Sequence, residues 1–157
     1  MKNQKGFSLV ELLVVVIIIA IIAAIAIPSL LASRRAANEA SAISSLRTIH
    51  SAQATFFGTV GANTTYENTL GELDDAADGA LIDPTLAGGA KSGYNFTMGA
   101  VSAVYCAVAV PQAGQGINGY VVSERGVIYR YATPANATGA CDLPTGVFTL
   151  GAGVAIQ

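Results

Sequence analysis

Only one histidine, His50, and two cysteines, Cys106 and Cys141, occur in the 157 residues, and charged side chains make up just 11% of them. A lone histidine with no cysteine or acid close by in sequence supplies neither a metal-ligand set nor a histidine-centred acid–base pair, so His50 reads as a packed or surface imidazole. No CxxC spacing and no CxxCH motif is present, which removes the usual sequence grounds for a thiol redox centre or an attached haem. The acids Glu67, Glu72, Asp74, Asp75, Asp78 and Asp83 lack the Asp-x-Asp-x-Asp-Gly order of an EF-hand and read as a solvated loop, with a cation site as the alternative. A basic surplus is also missing: beyond Pro28, six basic residues stand against nine acidic ones, which gives no support for specific nucleic-acid binding. Six tyrosines, from Tyr66 to Tyr131, leave an electron-conducting filament as the alternative of another class, although aromatics in strands ordinarily pack. No enzyme activity, metal or cofactor is expected.

The scarcity of charge suits a secreted or assembling protein, and its cause is partly local. From Phe7 to Ile27 the chain has twenty-one residues with a single charge, Glu11. As a helix this run would span about 31 Å at 1.5 Å per residue, a match to a bilayer's hydrocarbon core. Lys2 and Lys5 precede it and should stay cytoplasmic, so the remainder should face the other side. A carboxylate in lipid costs about 2.5–3.5 kcal/mol at mid-bilayer and less near an interface, so Glu11 needs a partner or a task. Ser8-x-x-Glu11 offers one reading, a capping box in which the glutamate reaches back to the first amides. An ordinary secretory signal cut after Ala24-Ile25-Ala26 is a second reading, but the run is long for that and continues as a helix.

Past Pro28 no glycine or proline interrupts the alanine-rich chain until Gly58, and Ile43, Leu46, Ile49 or His50, Gln53 and Phe57 recur at helical spacing. One helix is therefore expected to run to about Phe57, kinked or frayed near Pro28. A long connection, 58–93, follows, with a short helix around Leu70–Ala77. Strands are expected at Tyr94–Met98, Val101–Val110, Gly119–Ser123 and Gly126–Tyr131, the last two joined by a tight Ser123–Gly126 hairpin. The expected fold is α+β: a long N-terminal helix packed on an antiparallel sheet of about four strands, with an irregular segment around Cys141. In an exported head Cys106 and Cys141 would form one disulfide, whereas a cytosolic head would keep two buried thiols.

The leader ending in Gly6, then Phe7-Ser8-Leu9-Val10-Glu11-Leu12-Leu13 and an apolar helix, resembles the class III signal of type IV pilins and type II secretion pseudopilins. Pro28 matches the proline usual in type IVa pilins, and the two cysteines resemble those bounding the pilin D-region. The resemblance implies a leader, residues 1–6, removed by a prepilin peptidase between Gly6 and Phe7, and N-methylation of Phe7. It implies a transmembrane and filament-core helix, 7–27, and a pilin head, 28–157. Glu11 is then expected to pair with the Phe7 amine of a neighbouring subunit during docking. The implied partners are further copies of the chain in a helical homopolymer, an assembly ATPase and an inner-membrane platform. The implied location is the inner membrane, with the head outside the cytoplasm, and then an extracellular pilus serving adhesion or twitching. The alternatives within the same architecture are a pseudopilin and a minor pilin.

Overall fold

The computed structural model describes residues 6–75, 79–142, 146–149, 151 and 153–156. The leader residues 1–5, the end of the expected 70–77 helix, Asp78 and residues 143–145 lie outside the described residues. The chain forms two compact units, Met1–Arg34 and Arg35–Gln157.

A single helix, α1, runs Leu9–Gly58 and includes Pro28. From Leu12 to Ile27 its side chains are apolar on every face and, Ala23 apart, exposed, among them Leu12, Val16, Ile19 and Ile27. A helix satisfies its own backbone, which is why so many β-branched residues are tolerated where no water is available to compete. Pro28 has no N–H to give the carbonyl of Ala24, yet the helix continues on its other hydrogen bonds. It ends at Gly58, where the Thr59 and Gly61 amides bond back to the Phe56 carbonyl and Asn63 takes a positive φ of 60°.

In the second unit the helix buries Ala42, Ser45, Leu46, Ile49, Ala52, Gln53 and Phe56, a stripe repeating every three to four residues. The buried phenyl is Phe56 rather than Phe57. Phe57 turns instead onto the loop, where it stacks on Tyr66 at 4.6 Å.

Opposite the stripe lies a six-stranded antiparallel sheet in the order β1–β2–β3–β4–β5–β8, two strands more than expected. Its members are β1 Ala90–Lys91, β2 Tyr94–Val101, β3 Val104–Pro111, β4 Gly119–Ser123, β5 Ile128–Tyr131 and β8 Val154–Ile156. The expected strand from Val101 to Val110 begins too early. Val101 closes β2 opposite Val104, and the chain reverses through Ser102 at φ 55°. The Ser123–Gly126 hairpin forms as expected, with Gly126 N–H donating to the Ser123 carbonyl at 2.9 Å and φ of 73°. Among the described residues of the connection, a 3₁₀ turn, Glu72–Asp74, and a one-turn helix α2, Pro84–Ala87, precede the sheet.

Alternate strand residues define two faces. Tyr94, Phe96, Ala100, Tyr105, Ala107, Ala109, Tyr120, Val122 and Ile128 join the helix stripe in one core. Cys106, Val108, Val121 and Tyr131 face the other way, onto Ala137, Ala140 and Cys141. That second cover is a short helix, α3 Pro134–Ala140, followed by the hairpin of β6 Cys141–Asp142 and β7 Val147–Phe148. The segment expected to be irregular is thus partly helical, with Pro134 in the first turn, where its missing N–H is no loss. β3 is covered on both faces, which is why it reads as a nearly continuous apolar run.

Candidate assembly site

The chain at the N-terminal end of α1 presents three features in six residues. Gly6 has open space around it, Phe7 is 86% exposed, and Glu11 occupies the third position of the helix. The Ser8 N–H donates to Glu11 Oε2 at 3.0 Å, and Leu12 N–H donates to the Ser8 carbonyl at 3.3 Å, the first bond of the helix. Within one chain, then, Glu11 fulfils the reaching-back half of a capping box and places its negative charge at the positive end of the helix dipole.

Beyond this end α1 is long and apolar enough to cross a membrane, with a mean hydropathy of 3.3 over its most apolar 18 residues. None of those residues is buried. An apolar surface of that size is compatible with lipid or with other protein, not with water. Chemically, this end can hold one buried-type anion at a fixed depth beside the residue that would become a free amine if the chain were cut after Gly6.

The head is fastened by two devices. The first is the disulfide between Cys106 on β3 and Cys141 at the start of β6, whose Cα atoms are 5.8 Å apart. The second is a polar clasp on one face of α1. Arg35 donates to the Gly114 carbonyl, Asn38 to the Gln115 carbonyl and side chain, and Glu39 accepts four hydrogen bonds. Its donors are the Ile117 and Asn118 amides, Asn118 Nδ2 and the Tyr120 hydroxyl, at 2.9–3.2 Å. Burial works to raise the Glu39 pKa, but these donors outweigh it and hold the carboxyl below its ordinary value. Burial first, and Glu39 second, push the Tyr120 phenol up to about 12.

Sequence reading did not find this clasp. The signal available was Arg35, Asn38 and Glu39 at helical spacing i, i+3, i+4, one polar stripe on an otherwise alanine-rich helix. Arg34, Arg35 and Arg47, which cluster in sequence, have separate surroundings: Arg35 is in the clasp, while Arg47 lines a groove with Arg130. His50 lies 2.6 Å from the Tyr105 hydroxyl through Nδ1, packed between α1 and β3. Of the loop acids, Asp83 caps α2 and pairs with Lys91 at 2.9 Å, and Glu72 accepts from the Thr69 hydroxyl.

Residues 1–27 match the family model described as the prokaryotic N-terminal methylation motif. That match covers Gly6, Phe7, Glu11 and the apolar run, and it supports a prepilin-type substrate that is anchored by its N-terminal helix before assembly and processed by a prepilin peptidase. It extends to no part of the head. No curated protein matches the chain.

Proposed function

We propose that this chain is the principal subunit of an extracellular type IV pilus, acting by polymerisation and not as an enzyme. The observation that carries the reading is the methylation motif over residues 1–27 with an acid, Glu11, placed inside its apolar run. Cleavage between Gly6 and Phe7 leaves a new amine at Phe7, which is then N-methylated and remains cationic. In a membrane, that ammonium and the Glu11 carboxylate of an incoming copy lie at similar depth. At a separation of about 4 Å and an effective dielectric near 20, a pair of unit charges attracts by about 4 kcal/mol. Docking would then exchange the single charge-assisted capping bond that Glu11 makes within its own chain for an ion pair with the neighbour's amine. The two roles of Glu11 thus follow one another, cap in the free subunit and docking charge in the polymer.

The exposed run around it supplies the rest. Each helix packs beside others in a screw arrangement that does not close, so contact is heterologous and growth is open-ended. Helix packing then replaces lipid as each subunit leaves the membrane. An assembly ATPase and an inner-membrane platform protein supply the work and the template.

A type II secretion pseudopilin, forming a short periplasmic piston, shares the same N-terminal motif. The head favours the pilus. Cys106 and Cys141 are bonded, and after Tyr131 the chain has Asp142 as its one acid, which is a poor source of ligands for the calcium site expected of a major pseudopilin. The test is Glu11→Leu. Removal of the leader and membrane insertion should persist, because a leucine is cheaper in lipid than a carboxylate. Sheared surface filaments should fall at least about tenfold, the equivalent of losing ~1.4 kcal/mol of docking free energy. Normal filaments from Glu11→Leu alone would leave the capping box as the whole explanation of that residue. Wild-type chain confined to the envelope would favour the piston.

A further inference from the structure

Among the described residues, neither Arg47 nor Arg130 forms an ion pair. Arg47 on α1 and Arg130 on β5 line a groove of about 440 Å³ with Ala40, Ile43, Tyr120 and Ile156. Among the described residues the ion pairs are Lys91–Asp83 and Arg125–Glu124, and neither involves the groove. Glu39, the one acid in the second half of α1, is engaged by the four donors of the clasp. The apolar walls, Ile43 and Ile156, lower the local dielectric around the two cations, which strengthens their attraction for an anion. Arginine's planar fork suits a carboxylate in such a place.

The acids are at the other edge of the sheet. Residues 59–90 hold six of them and not one lysine or arginine. The Glu72–Asp74 turn packs on α2, and α2 packs on β1, the first strand in the sheet order. Arg130 and Ile156 belong to β5 and β8, the last two strands. Asp83 is taken by Lys91, whereas Glu72 is exposed and Asp74 is half-exposed at the surface of the turn.

We infer that the groove of Arg47 and Arg130 seats the Glu72–Asp74 turn of a neighbouring copy, so that heads in the polymer join acidic edge to basic edge. The inference rests on the filament reading. Complementary patches on opposite edges of one molecule cannot satisfy each other in a two-fold pair through a single patch; they repeat head to tail, the same open symmetry the helices require. Contacts of this kind also steer an incoming subunit before the helices engage, and they weaken as salt rises.

The experiment expresses the full chain and compares sheared-filament yield with the processed membrane pool. Arg47→Glu combined with Arg130→Glu should lower yield at least about tenfold, because like charges then face each other across the contact. The pool and the Cys106–Cys141 bond should be unchanged, which separates this loss from misfolding. Adding Glu72→Arg and Asp74→Arg to the same chain should restore most of the yield. The neutral pair Arg47→Gln and Arg130→Gln covers the case in which charge reversal disturbs the head: its filaments should be fewer and should lose the wild type's sensitivity to salt. Filaments undiminished in the reversed variant overturn the inference. So does a loss that the swapped turn does not repair, which would assign the groove to some other acidic partner. Absence of filaments from the wild-type chain contradicts the pilus reading itself, a different result from either.

Discussion

Glu39 shows how much one side chain can organise. Four donors about eighty positions away, three from the loop before β4 and the Tyr120 hydroxyl from β4 itself, converge on its carboxylate, and two are backbone amides with no strand to pair with. Because its folded pKa is depressed, the ionised form contributes stability that is fully present above the ordinary carboxylate range and is lost as the pH falls through the folded value. Glu67 works in the opposite sense: burial first, then Glu72, raises its pKa, so its ionisation opposes folding. Thermal or denaturant unfolding of wild type and Glu39→Gln, taken as a difference, isolates the clasp from Glu67. The difference should be about 1–2 kcal/mol near neutrality and should shrink towards zero below the Glu39 pKa, since a protonated glutamate resembles glutamine. An equal difference at both ends of the pH range would assign the effect to packing. Glu11 was legible in the sequence because a lone charge in an apolar run is conspicuous. Glu39 was not, because its partners are set by a loop whose path is tertiary.

Among the elements, legibility follows length and period. α1 is fifty residues long with a buried stripe at regular spacing in its second half, so its end could be read to within a residue and its start to within two. The central strands carry β-branched and aromatic runs and were found for that reason. β1 and β8 have two and three residues, too short to show alternation, and they pair only because β2 and β5 present open edges. α3 was missed because ATPANATGA looks like turn chemistry; its helicity comes from packing Ala137 and Ala140 on the sheet, and it has no side-chain cap. The disulfide is what fastens that second layer. It joins residues 35 apart in sequence, both almost wholly buried. Replacing the pair as Cys106→Ala and Cys141→Ala should lower unfolding free energy by about 2–4 kcal/mol, with α3 and the β6–β7 hairpin losing hydrogen-exchange protection before the α1 face of the sheet. An unchanged denaturation midpoint would mean that packing of Ala137, Ala140 and Val108 suffices without the bond.

At the scale of the whole molecule, the chain combines an anchor with no surface suited to water and a head with a complete core. The anchor's apolar run, exposed along its length in a single copy, gives the chain a reason to polymerise. In the proposed filament, the head's separated charges would give the polymer a direction. There, Phe7, Glu11, Arg47 and Arg130 would find their partners in another copy, with Glu11 giving up its own-chain bond to Ser8. That is also why the prepilin-type signal was more legible here than the detail of the head: the N-terminal motif is linear, whereas the head is specified by contacts between distant segments. The most direct test is mass spectrometry of the main protein in filaments sheared from the surface of cells that express this chain. The account predicts that this protein is the chain itself, beginning at an N-methylated Phe7, with Cys106 and Cys141 joined. A chain that begins at Ile27, or one that keeps Met1–Gly6 and never leaves the membrane, would contradict it.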